Sequence, residues 1–165
     1  MTCLRYGQLA GLRVGDKAPG FKLWESPGKS ITLSDELKNG PVVLVFYPAD
    51  FTSVCTQELC SFRDSLADFN ELGAQILGIS VDSIFSHSAF KKANDIEFPL
   101  LSDWEKTTIR AYGIVYPNLA GMKEVAKRSV FVVDADGLIT YAWVSEDPGK
   151  QPPYDEVKAA VESLQ

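Results

Sequence analysis

Three cysteines and one histidine hold most of the nucleophilic and metal-ligating capacity of this 165-residue chain: Cys3, Cys55, Cys60 and His87. Cys55 has the surroundings that point to chemistry. It closes the stretch Tyr47-Pro48-Ala49-Asp50-Phe51-Thr52-Ser53-Val54-Cys55, where an unbroken β-branched and aromatic run (42–47) gives way to a helical period. A cysteine in the first turn of a helix meets free N–H groups and the positive end of the helix dipole, a setting that favours an anion. The anion a cysteine supplies is a thiolate, its reactive form. Thr52, three residues upstream, places a hydroxyl in the loop leading in, as a donor to a sulfur or an oxygen ligand. Pro48 stiffens that loop and removes one competing N–H. A lone cysteine on a helix's apolar face is equally a small buried hydrophobe, and position alone leaves the two readings level.

The remaining chemistry-bearing residues exclude more than they suggest. A Ser-His-Asp or Cys-His arrangement would have to use His87, which lies on a separate segment with no motif around it. A zinc site needs about four ligands, and Cys3 and His87 lack a recognisable ligand spacing, so no metal is expected. No phosphate-cradling G-x-x-x-x-G-K-[ST] or strand-linked G-x-G-x-x-G occurs. The net charge of −6 and the absence of any basic stripe longer than Lys91-Lys92 or Lys127-Arg128 argue against nucleic acid. Trp24, Trp104 and Trp143 read as core or interface aromatics rather than a ligand cage.

Around these residues the chain has the composition of an ordinary globular protein, 45% apolar and 23% charged. A chain of this size buries roughly 70% of its unfolded surface and needs no disulfide framework. One domain over residues 1–165, with a loose tail at 1–12, is the expectation. No apolar run approaches the ~20 residues of a membrane span, and Gly7, Gln8 and Gly11 interrupt any leader-like run between Arg5 and Arg13. Sparse, odd-numbered cysteines fit a reducing cytoplasm, where a disulfide is transient and catalytic.

The elements that must position Cys55 follow from periodicity. Residues 21–24 and 30–33 flank Ser26-Pro27-Gly28-Lys29 as a β-hairpin, and 42–47 reads as a strand buried on both faces in a parallel sheet. From 54 to 70, Cys55, Leu59, Phe62, Leu66 and Phe69 recur at steps of four and three, one face of a helix, with Thr52 or Ser53 as N-cap. A second buried strand spans 75–81, Ser86 caps a helix through Asn94, and a shorter helix covers 106–112. Strands 129–133 and 138–144 straddle the turn Asp134-Ala135-Asp136-Gly137, and a helix over 154–164 closes the chain. The order β-α-β-α-(α)-β-β-α with an added N-terminal β-hairpin is an α/β, thioredoxin-like topology.

Pro48, Thr52 and Cys55 fall on the pattern P-x-x-x-T-x-x-C, and here the sequence resembles the peroxiredoxins of the thiol-specific antioxidant and alkyl hydroperoxide reductase type. Glu58 matches the acidic residue three positions beyond that family's cysteine. Phe62-Arg63-Asp64, Ile79-Ser80-Val81-Asp82 and the run from Arg128 to Asp134 look like family segments too, so that the resemblance extends from about residue 14 to the C-terminus. It implies a thiol-dependent peroxidase without metal or organic cofactor. Cys55 would attack a hydroperoxide and become a sulfenic acid. Arg128, Thr52 and the Cys55 backbone would stabilise the charge on the departing oxygen, and Glu58 would anchor the arginine.

The spacing Cys55-x4-Cys60 resembles the bacterioferritin-comigratory (PrxQ-like) group, which implies that Cys60 resolves the sulfenic acid as an intramolecular disulfide, recycled by thioredoxin or a similar dithiol. Standard helix geometry puts the two Cα atoms about 8–9 Å apart, beyond the ~7 Å a disulfide spans, so that step demands local unwinding. Cys60 as a packed residue, with an external thiol resolving Cys55, stays open. So does a redox-sensing or chaperone-like protein without turnover. Cys3 is either inert or an intersubunit disulfide partner, and aromatic residues near the site could build a homodimer contact.

Overall fold

The computed structural model describes residues 12–165. Cys3 and the tail expected at 1–12 lie outside the described residues, except Leu12, which packs against the core. The described chain begins with a hairpin, β1 (Lys22–Ser26) and β2 (Lys29–Thr32), turned at Pro27-Gly28 as the turn residues predict. A single helical turn, α1 (Leu33–Glu36), and a 3-10 turn (Leu37–Asn39) lead into β3 (Val42–Phe46), all five residues of which are buried. Then come α2 (Ser53–Asp64), α3 (Leu66–Glu71), β4 (Gln75–Ser80), α4 (Ile84–Asn94), β5 (Leu100–Ser102) and α5 (Thr107–Ala111). A ribbon of β6 (Val115–Leu119) and β7 (Met122–Ala126), the pair β8 (Ser129–Val133) and β9 (Ile139–Val144), and α6 (Tyr154–Glu162) complete it.

Seven strands form one sheet in the order β2-β1-β5-β4-β3-β8-β9. Strands β3, β4 and β5 are parallel, while β8 runs antiparallel to β3 and β9 to β8. This is the thioredoxin-like α/β arrangement with the hairpin added at one edge. Alternation along β3 feeds two cores. Val42, Leu44 and Phe46 pack with Ile79, Tyr112 and Phe131 on one face. Val43 and Val45 pack with Leu59, Phe62, Phe90 and Val157 on the other. Burying each such side chain contributes about 1.5–3 kcal/mol, which makes β3 a stiff support for the loop leaving its C-terminal end. Among the described residues no helix is long and apolar enough to cross a membrane.

The structure departs from the periodicity in four places. The helix expected over 54–70 breaks at Ser65, whose φ of −94° and ψ of 0° leave its N–H shared between the Ser61 and Phe62 carbonyls. Helix α4 begins earlier than expected: Ser83, not Ser86, is the N-cap, its Oγ accepting from Ser86 N at 3.1 Å. Strand β5 is only three residues long, too short for an alternation to register. The β6–β7 ribbon contains Pro117, which argues against a strand; pairing skips it, and Glu124 opposite sits at φ 53°.

Where β3 and β4 begin, their backbones touch. Gly40 adopts φ 129° and ψ −171°, and a Cβ there would overlap the Gly73 carbonyl oxygen. The contact sits next to the parallel pairing of Val42 with Gln75. Gly40→Ala therefore costs about 3 kcal/mol through strain and overpacking combined. Gly20→Ala, with ordinary φ and nothing within 4 Å, stays within about 0.5 kcal/mol of wild type. Denaturant midpoints of the two variants check the contrast.

Candidate active site

Register brings the site together. Phe46, the last residue of β3, pairs with Ser129, so Arg128 stands beside the point where the chain leaves β3 for α2. Its side chain is 2% exposed, and its planar fork is satisfied in three directions. Nη2 donates to Cys55 Sγ at 3.3 Å, Nη1 donates to Glu58 Oε2, and Nε donates to the Pro148 carbonyl at 2.9 Å. Cys55 lies buried in the first turn of α2, and Glu58 follows one turn later on the same buried face. The structure brings Cys55, Glu58 and Arg128 into one group.

The connecting loop supplies two more of the predicted residues. Pro48 is buried, and Thr52 is exposed at the mouth of the helix. Thr52 occupies the N-cap position by its backbone, φ −86° and ψ 151°, but its side chain does not cap α2. Its hydroxyl instead donates back to the Ala49 carbonyl at 2.9 Å. With that proton committed, the Thr52 oxygen presents acceptor lone pairs, not the donor expected from sequence. The first N–H groups of α2 receive no bond from Thr52 and keep their capacity for an anion.

Glu58 is an unusual carboxyl. It is fully buried, and its Oε1 has no hydrogen-bond partner among the described residues. Burial pushes its pKa up to about 7 from an ordinary 4.5, only partly opposed by the Arg128 charge and hydrogen bond. The unpartnered oxygen is the local reason that charge is poorly supported there.

Cys60 is not part of this group. It sits five residues along the same unbroken helix, half-buried, with its thiol 3.9 Å from Asn94 Oδ1 at the end of α4. Both cysteines are free thiols.

A polar cluster that periodicity did not reveal lies beneath the loop. His87 is buried, with Nδ1 2.8 Å from Asp50 Oδ2 and Nε2 3.1 Å from the Leu101 carbonyl. Tyr47 and Ser86 donate to the same Asp50 carboxyl at 2.6 and 2.9 Å, and the Asp50 N–H donates to Asp82 at 2.9 Å. Ligand atoms of Asp50, Asp82 and His87 fall within 4.8 Å of one another. Bonds to protein groups already occupy Asp50 Oδ2, Asp82 Oδ2 and both ring nitrogens, so the cluster is built as a hydrogen-bond network. The one sequence signal for it was the chain's single histidine on the same helical segment as an apolar Phe90.

The raised Glu58 pKa has a measurable consequence. Below about pH 4.5 folded and unfolded chains both carry the Glu58 proton; between 4.5 and about 7 only the folded chain does. Proton linkage then makes this group's contribution full below 4.5 and lost as pH rises through 7. Glu58→Gln has no such proton. The melting temperature of wild type minus that of the variant is expected to fall between pH 4.5 and 7.5, as followed by circular dichroism.

Comparison with known proteins identifies the family of the chain. The profile of the AhpC/TSA family matches residues 14–142. A protein described as a peroxiredoxin, ycf42 of Porphyra purpurea, is 42% identical over 144 residues, spanning 81% of this chain and 69% of that one. A Bcp-type peroxiredoxin of Coxiella burnetii is 40% identical over 134 residues, spanning 80% and 88%. The crystal structure of the peroxidoxin BcpB from Mycobacterium tuberculosis superimposes with a TM-score of 0.84 at 34% identity, covering 93% of this chain and 99% of that one. Similarity of this extent, over most of the chain, makes the protein a member of the AhpC/TSA family, and so a peroxiredoxin, a thiol-dependent peroxidase.

Proposed function

We propose that Cys55 is the peroxidatic residue and Cys60 the resolving one. The observation that carries the first assignment is the Arg128 Nη2–Cys55 Sγ contact of 3.3 Å between two buried groups. A guanidinium fixed there favours a thiolate and offers donors to an oxygen attacked by it. The Cys55 thiolate attacks one peroxide oxygen, the O–O bond breaks, and the other oxygen leaves as hydroxide or alkoxide and takes a proton from solvent. Arg128 and the α2 N–H groups stabilise the charge as it develops, and the Thr52 oxygen accepts from the hydroperoxide O–H. Pro48 fills the floor of the loop, and Glu58 holds the guanidinium in place.

The sulfenic acid left on Cys55 is attacked at sulfur by the Cys60 thiolate, the S–O bond breaks, hydroxide departs and takes a proton from solvent to become water, and a disulfide forms. While α2 is intact the two Cα atoms stay about 8–9 Å apart, so its first turns unwind for this step. A thioredoxin-like dithiol then returns both cysteines to thiols. Such a cycle suits a reducing compartment, the cytoplasm in our reading.

Mass spectrometry after one equivalent of hydrogen peroxide tests the assignment. Wild type is expected to show a Cys55–Cys60 disulfide, and Cys60→Ser a sulfenic or sulfinic Cys55. An unmodified Cys55 overturns the peroxidatic assignment, whereas a wild type that stops at sulfenic Cys55 makes Cys60 structural and leaves resolution to an external thiol.

A homodimer forms part of this reading. Phe51, Phe85 and Trp104 are exposed large apolar residues at 58, 72 and 66%. Trp104 lines one groove with Pro48 and Ala49 and another with Phe85 and Trp24, so the patch is continuous with the catalytic loop. Sedimentation equilibrium is expected to give twice the chain mass for wild type and a shift toward monomer for Trp104→Arg; a monomeric wild type at micromolar concentration overturns it.

A further inference from the structure

The loop between β3 and α2 contains a backbone strain that its own sequence does not explain. Phe51 adopts φ 65°, a left-handed conformation rare for a bulky aromatic residue. Phe51 is 58% exposed and its ring meets Phe90 of the core at a ring separation of 5.1 Å. Something else must hold the turn, because residues in such conformations persist only where their surroundings over-determine them.

The residue before it is the most heavily bonded in the loop. Asp50 Oδ1 accepts from the Tyr47 hydroxyl, Oδ2 accepts from the Ser86 hydroxyl and faces His87 Nδ1, and the Asp50 N–H donates to Asp82 Oδ2. Asp82 is held in turn by the Ser80 hydroxyl at 2.5 Å. These partners come from the end of β3, the end of β4 and the first turn of α4, so the loop is tied to three elements at one point. The ring of His87 is fixed at both ends. Its Nε2 faces the Leu101 carbonyl, which can only accept, so Nε2 carries a proton. Nδ1 stands 2.8 Å from Asp50 Oδ2, so each of the two buried groups is held by the other.

Building on the reading of Cys55 as the peroxidatic residue, we propose that Asp50 and His87 are positioning residues for peroxide reduction. Their buried pair holds the left-handed turn at Phe51 and thereby sets where Thr52 and the first turn of α2, which carries Cys55, stand relative to each other and to Arg128. Neither group touches the reacting atoms. Their effect passes through loop geometry, where a displacement of about 1 Å costs on the order of a hundredfold in rate.

The test uses the full chain in a Cys3→Ser, Cys60→Ser parent, so that Cys55 is the sole thiol. Two rates are measured for it: oxidation by hydrogen peroxide, which needs the positioned donors, and alkylation by iodoacetamide, which does not. His87→Gln is expected to slow oxidation by about ten- to a hundredfold while alkylation stays within about threefold of the parent. Adding Phe51→Gly, which adopts φ 65° without strain, is expected to restore several-fold of the lost oxidation rate. Ser86→Ala, a milder loss of one Asp50 donor, gives a smaller slowing in the same direction and serves if His87→Gln does not fold. Oxidation by the tested variant within about threefold of the parent overturns the clamp, as does a parallel loss of both rates or no recovery with Phe51→Gly. A parent that fails to react with peroxide overturns instead the assignment of Cys55, and the clamp with it.

Discussion

A guanidinium buried in a protein interior must be satisfied in every direction it can donate, and much of this molecule is arranged around that requirement at Arg128. One arm meets a sulfur, one a carboxyl, and the Nε a backbone carbonyl. Each partner comes from a different part of the chain: Cys55 and Glu58 from successive turns of α2, Pro148 from the segment between β9 and α6. The strand pair that delivers Arg128 is therefore inseparable from the helix that delivers its partners. Antiparallel pairing of β3 with β8 is the frame on which both hang, and any slip in that register would move the cation off the sulfur.

The second constraint is that α2 must start at a definite place. Strand β3 is buried on both faces and cannot shift, but the residues after it turn sharply before the helix begins. Thr52 spends its hydroxyl on Ala49 rather than on capping, and Asp50 is tied beneath the loop by groups from two other elements. A helix start left uncapped by its own N-cap side chain, yet held by the loop that precedes it, combines open N–H groups with a fixed direction. That combination is what an anion-stabilising site requires.

What could be read from sequence divides along sequence separation. Strand β3, the turn at Asp134–Gly137 and the start of α2 are local patterns, and each was legible from periodicity and turn chemistry. Pro48, Thr52 and Cys55 were legible as a spaced motif. Arg128 was visible only through family resemblance, because nothing local distinguishes it from the neighbouring Lys127, which reaches Glu146 at the surface. The Asp50–His87 contact joins residues 37 apart and leaves no periodic trace, so the single histidine looked isolated. Ser65 breaks the helix without disturbing the apolar stripe, since Phe62 and Phe69 still pack on each other across the break; stripe periodicity reports the buried face and not helix continuity.

The distance along the chain between Cys55 and Arg128, 73 residues, also bears on how the protein comes into being. At usual synthesis rates of about 5–20 residues per second, roughly 4–15 s separate the emergence of the two groups from the ribosome. During that interval β3 has no antiparallel partner on its β8 side, and Cys55 has no guanidinium beside it. Long-range pairings of this kind are the slow ones to form. The nascent chain thus carries Cys55 without its Arg128 contact until β8 docks, and that docking is the step of folding that completes the group.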